Sequence, residues 1–231
     1  MIASPTARSF SLATETAPRV LSPFLAWTSA DGKIQRLLHS DHYFPYQVAV
    51  APDDTVWTLG YEMVNLDHND PAVNKEAHAL RHFDSAGNLI GSAFPQSQFN
   101  RYQRFCVNHG LLIATRDRLG WYGSREAKAT YTEISLDTMS MKEYPGVSSD
   151  SKYPPTVGLA VTNNGVAAVS IQDKSPGART NYVLDRASSR WGPVSVPPMG
   201  GFKFTPILIG SDEDNLVFQY GHEAGFFSVL Q

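Results

Sequence analysis

Residues Gly158–Ser170 read GLAVTNNGVAAVS: an apolar run, a polar turn ending in Asn-Gly, then a second apolar run. Asn and Gly tolerate the positive φ of a tight reversal, so the segment reads as a β-hairpin. Three further segments share the plan: QVAVAPDDTVWTLG from Gln47, RFCVNHGLLIATR from Arg104 and ILIGSDEDNLVFQYG from Ile207. Their last turn positions, Thr55, Gly110, Gly165 and Asn215, lie 55, 55 and 50 residues apart. A second turn, opened by an apolar-Asp pair, trails the first three hairpins at Asp84, Asp137 and Asp185. Ser29-Ala30-Asp31-Gly32 is its relative one repeat earlier, with Gly32 standing 55 residues before Gly87.

Two hairpins in each unit of about 50 residues is the pattern of a four-stranded β-propeller blade. The units fall near 45–99, 100–148 and 155–198, in a single propeller-like domain spanning 1–231. Residues 1–23 are expected to be irregular apart from an extra strand at Ser9 to Ala13. The first strand of a unit is apolar without alternation, as in Val48-Ala49-Val50-Ala51 and Gly158-Leu159-Ala160-Val161. That places it innermost, covered on both faces by neighbouring blades. Residues 24–39 supply only a later hairpin, and residues 202–231 only a first hairpin plus the strand Phe226 to Leu230. Joined, these halves give four blades; the extra strand-like stretch Ser9 to Ala13 and the unfinished unit at Gln231 leave more strands than four blades require, which keeps five blades, or part of a six-bladed ring, as alternatives. A β-sandwich also spaces its strands regularly but does not require evenly recurring turns. The expected fold class is therefore all-β, a β-propeller of four-stranded antiparallel blades.

Composition agrees. The 17 glycines, 15 prolines and 11% aromatic content suit short strands and turns, and exclude an all-α bundle. With 19 basic against 22 acidic residues and no run of like charge, the chain carries no electrostatic footprint for nucleic acid or an anionic membrane surface. Cys106, the lone cysteine, can form no internal disulfide and joins no zinc-ligand pattern. No apolar run approaches the roughly 18 residues of a membrane span. Met1–Glu15 lacks the apolar core of a secretory signal, so a chain that truly begins at Met1 is expected to be soluble and cytoplasmic.

Ala51–Gly60 (APDDTVWTLG) and Arg81–Pro95 (RHFDSAGNLIGSAFP) resemble hairpins of six-bladed propellers in the NHL, gluconolactonase-like and streptogramin-lyase-like group. Ala51–Gly60 is the best match, with Asp-Asp where such blades often carry Asp-Gly. The resemblance implies the fold but not a reaction, because that group includes metal-dependent hydrolases and lyases as well as binding platforms.

Several clusters bear on chemistry. His78 and His82 would share one face of a strand with Leu80, which accounts for both imidazoles without an ion; His39 and His42 lie in a connection. Cys106 and His109 flank a turn, and Cys106 reads as a small core residue rather than a nucleophile. Asp84, Asp137 and Asp185 are expected to accept backbone N–H bonds that specify their turns. Trp27, Trp57, Trp121 and Trp191 read as core. No zincin, calcium-loop, serine-elbow, phosphate-loop or dinucleotide motif occurs.

Aromatic residues recur just before each innermost strand. The expected ligand-binding set is Tyr46, Arg101, Tyr102, Tyr153 and Phe204, contacting a protein segment or small molecule at the channel face. Packing between blades is the competing use of those aromatics. Polar groups after the second strand, namely Glu62, Asp117, Arg118, Gln172, Asp173, His222 and Glu223, would share that face by strand parity. The leading expectation is a non-enzymatic binding protein. The alternative is a metal-dependent hydrolase or lyase of the lactonase-like type, with Glu62, Asp117, Asp173 and Glu223 as ligands to Ca2+ or Zn2+ or as acid/base groups.

Overall fold

The computed structural model describes residues 10–11, 14–17, 20–64, 74–98, 110–125, 128–147, 156–172, 179–196, 206–220 and 223–228. They form five antiparallel sheets. The first contains β1 (Phe10–Ser11), β2 (Thr14–Ala17), β3 (Val20–Thr28) and β4 (Ile34–His39), with β3 pairing to the other three. The second runs β5 (Tyr43–Val50), β6 (Val56–Glu62), β7 (His78–Phe83), β8 (Leu89–Pro95), followed by a 3-10 turn at Gln96–Gln98. The third comprises β9 (Leu111–Ala114), β10 (Arg118–Arg125), β11 (Lys128–Ser135) and β12 (Met141–Pro145). The fourth comprises β13 (Thr156–Val161), β14 (Ala167–Gln172), β15 (Arg179–Asp185) and β16 (Arg190–Val194). The fifth has three strands, β17 (Ile207–Asp212), β18 (Asn215–Tyr220) and β19 (Glu223–Ser228). From the second sheet on, spatial order follows chain order, which is the meander of a propeller blade. Among the described residues no helix is long and apolar enough to cross a membrane.

One turn recurs in detail. At Ser29, Asp84 and Thr162 the backbone N–H donates to the carbonyl four residues on, at 2.9 Å in each case. The glycine at the fourth position donates back to the first residue, again at 2.9 Å. Those glycines, Gly32, Gly87 and Gly165, have φ of 81°, 81° and 90°, a conformation in which a Cβ is strained. Ser29 thus stands in for Asp84, as the spacing predicts. Asp84 and Asp185 also hold their turns through the side chain: Asp84 Oδ1 accepts Asn88 N–H at 2.8 Å, and Asp185 Oδ1 accepts Ala187 N–H at 2.9 Å. In the Asp137 turn Ser135 Oγ takes that part, accepting Thr138 N–H.

Two expectations need correction. The inner hairpin of the third sheet reverses at Thr115–Arg118, where Thr115 N–H donates to Arg118 O at 2.8 Å, and not at Gly110. Leu111–Ala114, read as its second strand, is the first. Both Asn108-His109-Gly110 and Thr115-Arg116-Asp117-Arg118 have turn chemistry, and the even spacing favoured the wrong one. Cys106 and His109 lie outside the described residues. At the N-terminus, the extra strand appears as Phe10–Ser11, but β2 and the start of β3 also fall in the segment read as irregular.

The chain divides into two compact units, residues 1–49 with 54–98 and residues 50–53 with 99–231. In the first, Leu25, Trp27, Val56 and Phe83 are buried together with Leu38 and Val48 against them, and Arg36 Nη1 donates to Ser85 O at 2.5 Å. In the second unit the fourth sheet is covered on both sides. Leu159, Val161, Ala167, Val169 and Ile171 pack on Tyr122, Tyr131 and Tyr144 of the third sheet. The alternate residues Ala160 and Ala168 pack on Leu208, Leu216 and Phe218 of the fifth. This is why β13 and β14 lack alternation. Within this unit, the first strands β9, β13 and β17 adjoin in sequence, as innermost blade strands do.

Gly158 marks the closest approach. A Cβ there would fall 2.0 Å from Leu208 O on β17, against backbone that cannot rotate away. Gly158→Ala is expected to lower stability by about 1–3 kcal/mol through forced separation of β13 and β17; an unchanged urea midpoint would contradict that packing.

Candidate functional site

In the first unit, the start of β5 and the end of β6 lie at the same end of their sheet, and aromatics gather there. Phe44 stacks on Tyr61, with centroids 5.3 Å apart and planes at 9°, while Tyr46 sits 6.5 Å from Tyr61. Burial raises the Tyr46 and Tyr61 hydroxyls above the usual phenol range. Beneath them, Tyr43 Oη donates to Ala79 O at 2.9 Å and lies 3.0 Å from Thr58 Oγ1. The Arg81 guanidinium rides 3.9 Å above the Tyr43 ring and binds Glu62 Oε2. Asn74 Nδ2 donates to Glu62 Oε1 at 2.7 Å. Gln96 completes the arrangement: its Oε1 accepts Glu62 N–H at 2.6 Å, and its Nε2 donates to the carbonyls of Glu62 and Asn74. Glu62 is thus held by a cation on one oxygen and an amide on the other.

In the second unit, a polar groove of about 300 Å³ is lined by Asp117, Arg118, Glu133, Ser135, Asp137, Ser140 and Lys142. Glu133, on β11, is only 8% exposed. Tyr131 Oη donates to its Oε1 at 3.0 Å, and Arg186 of the next sheet donates from Nε to Oε2 at 3.3 Å and from Nη2 to Oε1. Arg118 Nη1 stands 3.8 Å from the same carboxylate. Arg118 itself forms a two-pronged pair with Asp117, Nε to Oδ1 at 2.9 Å and Nη2 to Oδ2 at 2.7 Å. That contact holds the Asp117 carboxyl below the usual carboxylate range. Burial, by contrast, pushes the Tyr122 hydroxyl up to about 12, while its oxygen accepts Val147 N–H at 2.9 Å.

Of the expected ligand-binding residues, Tyr46 lies within β5 rather than just before it. Arg101, Tyr102, Tyr153 and Phe204 lie outside the described residues, as does Asp173. Glu62 ends β6, Gln172 ends β14, and Glu223 opens β19 after β18, so these three follow second strands. Asp117 does not: it sits in the β9–β10 turn, at the opposite end of its sheet, because the inner hairpin reverses one turn later than the spacing indicated. A divalent cation would need free carboxylate oxygens. Both oxygens of Asp117 face Arg118, and those of Glu62 face Arg81 and Asn74. These two residues do not fit a metal site.

His82 and the tryptophans have settled places. His82 stacks on Trp57 with centroids 3.9 Å apart and planes at 11°. Trp27, Trp57 and Trp121 are buried. Trp191 is half-buried, and its Nε1 donates to Pro145 O at 2.8 Å. Sequence reasoning missed Arg81, Glu133 and Arg186. The available signal was an acid, Glu133, on the same alternating row of Lys128–Ser135 as Tyr131.

No protein-family model matches the sequence, and no curated protein matches it. Among solved structures the chain is similar to the Dos1 propeller, with 9% identity and a TM-score of 0.42. The match covers 86% of this chain and 48% of that one, so the chain spans about half its length.

Two outcomes follow from the charge pairs. Arg186→Ala leaves Glu133 buried with its main cation gone, and is expected to cost about 2 kcal/mol, below the roughly 3–5 kcal/mol of a fully buried pair because the guanidinium is partly exposed. A urea midpoint within error of the parent would refute it. Asp117, whose carboxyl is depressed in the folded state, contributes stability that is complete above the unfolded-chain value of about 3.9 and is lost as pH falls below it. Asp117→Asn should therefore flatten the acid limb of a stability–pH curve; an identical limb would show that the pair contributes nothing.

Proposed function

We propose that this protein is a non-enzymatic β-propeller-type binding module that holds a protein segment or a small molecule. The observation that carries this reading is the aromatic cluster of Phe44, Tyr46 and Tyr61 at the end of the sheet where the chain enters β5 and leaves β6. Flat, rigid aromatics give large contact area at little entropic cost, and they suit recognition better than proton transfer. The neighbouring carboxylate, Glu62, is committed to Arg81 and Asn74, which favours binding over acid–base chemistry.

On this reading Tyr46, Arg101, Tyr102, Tyr153 and Phe204 are the contact residues; Tyr46 lies in the first strand of its sheet, and the other four are carried by the recurrence of aromatic and basic residues in the sequence. The blades belong, in this proposal, to the six-bladed group that Ala51–Gly60 and Arg81–Pro95 resemble. The alternative of a lactonase-like metal enzyme gains no support from Glu62 or Asp117.

Alanine replacement of Tyr46, Tyr102 and Tyr153, singly, is expected to weaken capture of a partner that co-purifies with the parent protein by about tenfold each, with the melting temperature of Tyr102→Ala and Tyr153→Ala unchanged. Undiminished affinity in all three would remove the site assignment.

A further inference from the structure

The polar groove of the second unit lies at the end of the third sheet where the β9–β10 and β11–β12 turns stand side by side. Register fixes its walls. Arg118 is paired with Ser135, and Glu133 with Lys142, while Tyr131 and Tyr144, the next pair along the same two rows, pack on the fourth sheet. Directly opposed residues of an antiparallel pair project to one side, so Arg118, Glu133, Ser135 and Lys142 stand on that side too. Leu136 N–H donates to Asp117 O at 2.9 Å, which ties the two turns together and holds the groove open by backbone alone.

Most of the charge in the groove is neutralised within the fold: Asp117 forks onto Arg118, and Glu133 is held by Arg186. Two opposite charges are left over. Asp84 and Asp185 bind their own turns through both carboxylate oxygens. In the third sheet Ser135, bonded to Ser140 at the end of its hairpin, stands where Asp185 stands opposite Arg190, and its hydroxyl accepts Thr138 N–H. The Asp137 carboxylate, two residues on, is thereby released to the groove, and among the described residues it forms no hydrogen bond or ion pair. Lys142 lies opposite Glu133, but Glu133 has turned to Arg186 and Tyr131. The ammonium sits 4.9 Å from the centroid of the Tyr144 ring and has no acid partner among the described residues. Asp137 and Lys142 thus line one groove without pairing with each other.

We infer that this groove binds a small zwitterion, a free amino acid with a short polar side chain, its ammonium on Asp137 and its carboxylate on Lys142. The volume of about 300 Å³ gives such a molecule room, at the lower end of the roughly 300–1,000 Å³ of small-ligand sites. One uncommitted charge of each sign complements a ligand that carries both; a simple anion meets Asp137 as a repulsion, and a simple cation meets Lys142. The lining has no apolar side chain, and the Ser140 hydroxyl, 2.8 Å from Thr138 Oγ1, offers a polar contact for the ligand's side chain. A divalent cation does not suit a groove that contains Arg118 and Lys142, and the described residues hold no group of three metal-ligating side chains. The inference does not rest on the aromatic contact residues, and its test leaves them untouched.

The probes are L-serine, glycerate, which has a hydroxyl in place of the ammonium, and ethanolamine, which lacks the carboxylate. Each is titrated into the full chain at constant ionic strength while backbone amide signals are followed by NMR. L-serine is expected to shift the amides of residues 135–142 saturably, with a dissociation constant in the millimolar range, because exposed ion pairs are individually weak. Glycerate and ethanolamine should each bind about fivefold more weakly, the upper value for loss of one exposed ion pair. Asp137→Asn and Lys142→Gln, at exposed positions where the fold survives, separate the two contacts. Asp137→Asn should weaken L-serine about fivefold and leave glycerate no weaker, whereas Lys142→Gln should weaken L-serine equally and leave ethanolamine no weaker. No saturable shift with L-serine up to about 100 mM, equal affinity for all three probes, or L-serine affinity unchanged in either variant would overturn the site.

Discussion

Burial of the inner strands on both faces is the constraint from which the rest of this structure follows. A sheet with one wet face alternates apolar and polar residues; β13 and β14 cannot, because Leu159 and Val161 face one neighbour while Ala160 faces the other. Side chains must also be small where backbones meet, so Gly158 lies against Leu208 O and alanines fill the joint with the fifth sheet. Roughly 1.5–3 kcal/mol accompanies burial of each large apolar side chain, and the tyrosines and leucines of the joint with the third sheet supply much of it.

Much of this was legible in the sequence because the repeat is written in turn chemistry. Gly32, Gly87 and Gly165 occupy the positive-φ corner of one and the same turn, and no other residue fits it as cheaply. Where two adjacent segments both had turn chemistry, at Asn108–Gly110 and Thr115–Arg118, even spacing pointed to the wrong one, and Asp117 was carried to the wrong end of its sheet. Composition cannot decide such a choice; only the pairing of Leu111–Ala114 with β10 does.

The site was less legible than the fold. Tyr46 could be found from the recurrence of aromatics, but the partners that immobilise Glu62 come from β7 (Arg81), from Asn74 and from Gln96, and no local pattern joins them. The same is true of Glu133 and Arg186, which are 53 residues apart. Ion pairs between sheets depend on the length of the repeat, not on any motif, and a carboxylate that looks like a ligand in the sequence, such as Glu62, is held by Arg81 and Asn74 in the fold.

The ties that join consecutive sheets have a common span. Arg36 to Ser85 crosses 49 residues, Trp191 to Pro145 crosses 46, Arg186 to Glu133 crosses 53, and Asn164 to Asp214 crosses 50. Every strand pair within a sheet, by contrast, closes between segments near in sequence, so each meander can form before its neighbour is complete. Within each compact unit, assembly during synthesis can then advance one module at a time, a new sheet docking on the one already exposed at the growing end. Until its successor arrives, that sheet presents a bare apolar flank, and it is the interval between modules, rather than any single strand, that leaves the nascent chain open to mispairing.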